Sequence, residues 1–218
     1  LNRVKSVIIF ILLLPAAVSG QPAKKFTLEI FELGISTEIE KFFYLPDVNR
    51  NFQFIFVVNG YGRSGFDTDK NRFIVSVIKK TAEKNNIRYS FVMDSPETLS
   101  NDSVYYMVKV SDINLETKYP KFKKNRFLGD KTLERNVTSN INVDMHSSDN
   151  KFAHKNNIVL QYSDEIDYDS YESYESLEYD FTKGRPPKVN ALESILFPAL
   201  LVAISTATTI LFFTIRSK

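Results

Sequence analysis

The run Gly60-Tyr61-Gly62-Arg63-Ser64-Gly65 is the part of this 218-residue chain whose spacing most resembles a piece of chemistry. G-x-G-x-x-G is the spacing of a phosphate-cradling turn, in which glycines let the backbone approach a pyrophosphate and a helix N-terminus receives its charge. Gly60, Gly62 and Gly65 are therefore the candidate cofactor-binding residues. Three features weigh against them. Gly65 precedes the expected helix start instead of lying inside it. Asp94, the acid available as a ribose ligand, lies 29 residues beyond Gly65, where about 20 is expected. A single β-α-β unit also supplies only half of a dinucleotide fold. The expectation is a surface turn and no cofactor.

Eight carboxylates and no base lie between Asp164 and Asp180, interspersed with Tyr168, Tyr171, Tyr174 and Tyr179. Clustered carboxylate oxygens are calcium ligands, and Asp164, Asp167 and Asp169 are the candidate metal residues. The spacing fits no EF-hand loop, however, and no glycine turns the chain around an ion. The plainer expectation is an extended tail whose tyrosine rings lie on the domain while its acids stay wet.

Its counterpart runs from Lys118 to Arg135, with seven basic residues against two acidic ones and with Phe122 and Phe127 interleaved. Lys121, Lys123, Lys124 and Arg126 are its candidate interaction residues. Basic and aromatic interleaving is a nucleic-acid pattern, but an exported domain meets no nucleic acid. Envelope glycans or lipid head groups are the polyanions left, set against a solvated hairpin connection that pairs with the acidic tail.

Other catalytic groups are scarce. His146 and His154 are the only histidines, eight residues apart, and cysteine is absent. Thiolate metal sites, disulfides and cysteine nucleophiles are thereby excluded. No nucleophile elbow, H-E-x-x-H pair or Walker loop is present. The formal charge of +2 names no polyanionic partner.

The elements that would position these residues follow from periodicity. Leu28, Phe31, Ile35, Ile39, Phe42 and Phe43 recur at steps of three and four, which predicts a helix containing Gly34 and ended by Pro46. Phe52 to Val58 reads as a buried strand, and Thr68 to about Lys84 as a second amphipathic helix. The period then turns to two. Val104, Tyr106, Val108 and Val110 share one face, as do Val137, Ile141, Val143 and Met145. A last strand is expected from Ile158, after a polar loop holding Asp149-Asn150 and Asn156-Asn157. The predicted class is α+β: a mostly antiparallel sheet with two helices packed on one face.

Both ends are apolar. Arg3 and Lys5, the run from Val7 to Leu14, and Ala17 and Ser19 have the order of a secretory signal peptide over 1–20. Ile195 to Ile215 is uncharged for 21 residues, long enough at 1.5 Å per residue to predict a transmembrane helix. The organisation expected is a signal at 1–20, an exported domain at 21–182, a Pro/Gly linker at 183–194, a span at 195–215 and a cytoplasmic tail at 216–218. Ala199, Ala203 and Ala207 form a small-residue stripe on that span, a candidate face for helix–helix self-association.

The stretches Asn85-Asn86-Ile87-Arg88-Tyr89, Val104-Tyr105-Tyr106-Met107-Val108 and Leu133-Glu134-Arg135-Asn136-Val137-Thr138 resemble small periplasmic domains of the curli-secretion and flagellar-outer-membrane lipoprotein group. The whole layout is similar to envelope proteins of Bacteroidetes–Chlorobi bacteria. The resemblance implies an envelope location and carries no functional residue. The function expected is a non-enzymatic accessory or protein-interaction domain in the periplasm, tethered to the cytoplasmic membrane, with the membrane and envelope proteins as partners. The alternatives are an envelope glycan or small-ligand binding module, and an enzyme using carboxylates or the Gly60–Gly65 loop.

Overall fold

The computed structural model describes residues 24–60, 68–92, 104–124, 131–188 and 191–216. Helix α1 (Thr27–Phe43) turns Ile30, Phe31, Ile35, Ile39, Phe42 and Phe43 inward, as their spacing requires, with Glu29 in its first turn and Lys41 in its last to suit the helix dipole. Strand β1 (Gln53–Val58) follows, and then helix α2 (Asp69–Lys84), whose N-cap Thr68 accepts the Asn71 N–H. Next come strands β2 (Tyr89–Phe91), β3 (Tyr105–Lys124), β4 (Lys131–Ser147) and β5 (Ala153–Asp167). Two short 3₁₀ helices, Tyr168–Tyr174 and Asp180–Thr182, precede the last helix, α3 (Ala191–Arg216).

The architecture is α+β, built on a five-stranded sheet in the order β2-β1-β3-β4-β5. The sheet is mixed. β1 pairs in parallel with both β2 and β3, while β3, β4 and β5 form an antiparallel meander. The crossover through α2 returns the chain to the start of β1, so β2 runs parallel to it. β1 is accordingly apolar on both faces, with Phe54 and Phe56 under the helices and Ile55 buried on the other side.

Helices α1 and α2 lie over one face, where Phe31, Ile35, Phe73 and Ile78 meet Phe54, Phe56, Val108, Val143 and Ile158. The three long strands run past this layer. Over their far half a second cluster forms, with Tyr119, Leu133 and Ile166 at its centre and Phe122, Tyr168, Tyr171 and Tyr174 around them. β4 keeps one phase throughout, from Leu133 to Met145. β3 does not: register shifts between Ser111 and Asn114, and between Lys118 and Lys121, move its inward set from Tyr106, Val108 and Val110 to Leu115 and Thr117 and then to Phe122. Asp112, at φ 50°, sits in the first shift.

Several expectations are corrected. β5 begins at Ala153, so Asn156 and Asn157 belong to the strand and not to a loop before Ile158. The basic stretch is no solvated connection over most of its length: Lys118 to Lys124 and Lys131 to Arg135 are paired ends of β3 and β4. Among the described residues, no helix is long and apolar enough to cross a membrane, which overturns the transmembrane helix expected over 195–215. The tethered accessory function, the anchored location and the membrane as a partner rested on that span and fall with it. The signal sequence expected over 1–20 lies outside the described residues.

Candidate protein-binding edge

The far half of the sheet is held by one buried ion pair. Arg135 on β4 is fully buried and faces Asp164, its cross-strand partner on β5. Its Nε donates to Asp164 Oδ1 at 2.9 Å and its second terminal nitrogen to Oδ2 at 2.6 Å. The remaining donors reach Thr27 Oγ1 at 3.0 Å and the Lys25 carbonyl at 2.9 Å, and the guanidinium lies 5.5 Å from the Tyr174 ring centre. This cluster ties the chain before α1 to the edge strand β5 and to the tyrosine-rich segment behind it.

Strand β5 is an edge of the sheet, 15 residues long. The hairpin bond from Ser147 N–H to the Phe152 carbonyl, at 2.9 Å, sets its phase. Even-numbered residues of β5 direct their backbone groups to β4, and odd-numbered ones direct theirs outward. At one end the outward Asn157 N–H is capped by Asn156 Oδ1 at 2.9 Å, and at the other the Lys24 ammonium donates to the outward Glu165 carbonyl. Between these caps, the outward backbone groups of Val159, Gln161 and Ser163 have no partner among the described residues. Such groups are a template for another strand.

A groove of about 230 Å³ runs beside this edge, between β5 and α1. Ile30, Leu33, Gly34, Leu160 and Tyr162 line it, with Lys25 and Glu38 also on its wall. Glu38 is paired with Lys41 at 2.6 Å. Gly34 lets α1 and β5 approach closely here: a Cβ at that position would stand 2.7 Å from Leu160 Cδ1, and the leucine side chain would have to shift. Leu33 and Val159 are each 52% exposed. Burial first, and then the Asp164 carboxylate, push the Tyr162 phenol up, so it stays a neutral donor beside the groove. On the outer face, the hydrogen bond from Lys123 holds the Glu165 carboxyl below its ordinary value, and the same bond raises Lys123.

The sequence candidates are dispersed. Gly60 lies in the turn two residues after β1, at φ 82°, a left-handed position, while Gly62 and Gly65 lie outside the described residues. A cleft of about 500 Å³ lies near it, lined by Asn59, Thr68, Lys70, Asp112 and Phe181 among others. Its acids are committed: Asp69 to Arg72, Asp180 to Lys183 at 2.6 Å and Asp112 to Asn142 at 2.7 Å.

Asp164, Asp167 and Asp169 do not converge either. Asp164 is held by Arg135, Asp167 accepts the Asp169 N–H at the start of a 3₁₀ helix, and Asp169 lies 3.9 Å from the Lys131 ammonium. Among the described residues, no group of three or more His, Asp or Glu could hold a metal ion. Lys121 pairs with Glu134 at 3.3 Å and Lys123 with Glu165, Lys124 is exposed opposite Lys131, and Arg126 lies outside the described residues. Ala199, Ala203 and Ala207 are exposed along α3. The hydroxyls of Thr206, Thr208 and Thr209 there donate to the carbonyls four residues back, at 2.7–2.8 Å.

Sequence reasoning missed Val159, Gln161, Leu33 and Gly34. A last strand was expected from Ile158, but nothing in the sequence marked it as an edge.

No protein-family profile matches the chain, and no curated protein sequence matches it. Among solved structures the chain is similar to a neuraminyllactose-binding hemagglutinin homolog from Helicobacter pylori, at 11% identity over 75% of this chain and 89% of that one, with a TM-score of 0.34. A lesser likeness is to an S-adenosylmethionine-dependent methyltransferase from Clostridium acetobutylicum, at 8% identity over 78% of this chain and 84% of that one, with a TM-score of 0.13. Likenesses this low carry no argument about what the chain binds or does.

Proposed function

We propose that this chain is a polypeptide-binding domain that captures an extended segment along β5. The observation that supports the reading is the juxtaposition of an open edge and a groove. Backbone groups of Val159, Gln161 and Ser163 point outward, and the groove beside them offers the apolar side chains of Ile30, Leu33 and Leu160. Main-chain bonds along an edge supply affinity, and a pocket for alternate side chains supplies selectivity. A captured segment would carry apolar residues at alternate positions, those that face α1. The groove is an ordinary protein surface otherwise, with its flanking Glu38 already paired.

The test uses a displayed library of random peptides about eight residues long, a little longer than an ordinary strand. The full chain should select sequences with apolar residues at every second position. Gln161→Pro removes one outward N–H and leaves the β4 ladder intact. It should lower binding at least ten-fold, while Gln161→Ala binds as the parent does. Failure to select any peptide, or binding indifferent to Gln161→Pro, would overturn the proposal.

A further inference from the structure

We infer that the strand accepted by the β5 edge is β5 of a second copy of this chain, paired antiparallel about Leu160; this rests on the strand-capture reading above. In a two-fold pair, only registers that place odd residues opposite odd residues align the outward backbone groups. Among these, the register centred on Leu160 sets Val159 opposite Gln161 and Asn157 opposite Ser163. Each Val159–Gln161 pair exchanges two backbone hydrogen bonds, and symmetry repeats the set.

Side chains favour this register over its neighbours. It sets Lys155 opposite Glu165 twice, at outward-facing positions whose side chains are 83% and 47% exposed. Each has a partner within its own chain, Asp144 for Lys155 and Lys123 for Glu165, so the contact extends an alternating network of charge. On the inward face it brings Leu160 against Leu160 and Ile158 against Tyr162. Centring on Val159 instead puts Lys155 opposite Ser163, and centring on Gln161 puts the apolar Ile158 opposite Asp164. The chosen register also brings the two grooves together over Leu33, and on the open face of the sheet it sets the exposed Val159 beside Gln161 of the second copy.

Because the chain has no cysteine, single-cysteine variants of the full chain report the register directly. In the inferred pair, Leu160 lies about 4.5 Å from its copy between Cα atoms, within disulfide reach, whereas Val159 lies beyond the roughly 7 Å limit from its own copy. Under mild oxidation Leu160→Cys should form a covalent dimer at least ten-fold faster than Val159→Cys or Ser163→Cys. A second pair of variants leaves Leu160 in place. Lys155→Glu should weaken self-association, read by sedimentation, about ten-fold, and Lys155→Glu with Glu165→Lys should restore it.

Equal crosslinking at all three positions, preference for Val159→Cys, or a parent chain monomeric throughout the micromolar range would overturn self-pairing. If self-pairing fails while displayed peptides still bind and lose affinity in Gln161→Pro, only the identity of the partner falls. If neither is seen, the strand-capture reading falls with it.

Discussion

Replacing Arg135 by methionine tests whether the far half of the sheet depends on one buried ion pair. Methionine nearly conserves the volume of the arginine stem, so the main loss is polar. Two bonds to Asp164, one to Thr27 and one to the Lys25 carbonyl disappear, together with the contact to the Tyr174 ring. Asp164, whose side chain is only 17% exposed, would keep a carboxylate with just the Tyr162 hydroxyl at 3.4 Å to donate to it. Breaking a buried pair on one side costs about 3–5 kcal/mol, because the surviving charge is left without its partner. For a chain of this size, that is a fall in Tm of roughly 10 °C.

The double variant Arg135→Met, Asp164→Leu removes both charges and should recover most of that loss, since apolar replacements of buried pairs are often near neutral. The coupling between the two sites is then at least about 2 kcal/mol, measured by urea unfolding of the parent, both single variants and the double. Amide exchange should show the loss first around Tyr168 to Tyr174, which pack on this half of the sheet. A double variant as unstable as the sum of the singles would refute the reasoning, because the pair would then not act as a unit.

Two further outcomes follow from local geometry. The Ser147 hydroxyl and the Lys151 N–H donate to the Asp149 carboxyl at 2.6 and 3.2 Å and hold it down to about 2. Its folded value lies below the ordinary 3.8, so the hairpin is stabilised above about pH 4 and loses this contribution as pH falls through about 2. Protection of the Ser147 and Phe152 amides, taken relative to their intrinsic exchange at each pH, should fall across that window in the parent, whereas in Asp149→Ala it should already be low at neutral pH. Gly184→Ala would place a Cβ 2.6 Å from Tyr119 Cε2 and 3.2 Å from the Thr117 carbonyl. The ring is buried and its hydroxyl is bonded to Glu175, so the variant should be less stable by about 1–3 kcal/mol in thermal unfolding.

How much of this could be read from the sequence differs by element. Helix α1 was legible because one apolar stripe repeats through it, and Gly34 interrupts neither the stripe nor the helix. What a side chain at Gly34 would meet is long-range: Leu160, on the last strand, occupies the space. β4 was legible because its phase never changes. β3 was only partly so, since two register shifts move its inward residues from even to odd and back, and a period-two scan loses the pattern at Asp112. The parallel pairing of β1 was hinted at by its continuous apolar run. The antiparallel expectation came from the strands after it, which do form a meander.

Charge counting misplaced Arg135 for a related reason. In the sequence it is the last of seven basic residues in a segment expected at the surface, yet its side chain is fully buried, because β4 alternates and position 135 shares the face of Leu133 and Val137. Asp164 likewise stands first among eight acids, and it differs from the rest only by lying opposite Arg135. A buried pair is a property of register, and register is not written in either segment alone. The same holds for the proposed interface. Val159 and Gln161 look like ordinary strand residues until the sheet order leaves β5 outermost. Only then do their backbone groups, and the groove that Gly34 shapes beside them, become something a second strand can use.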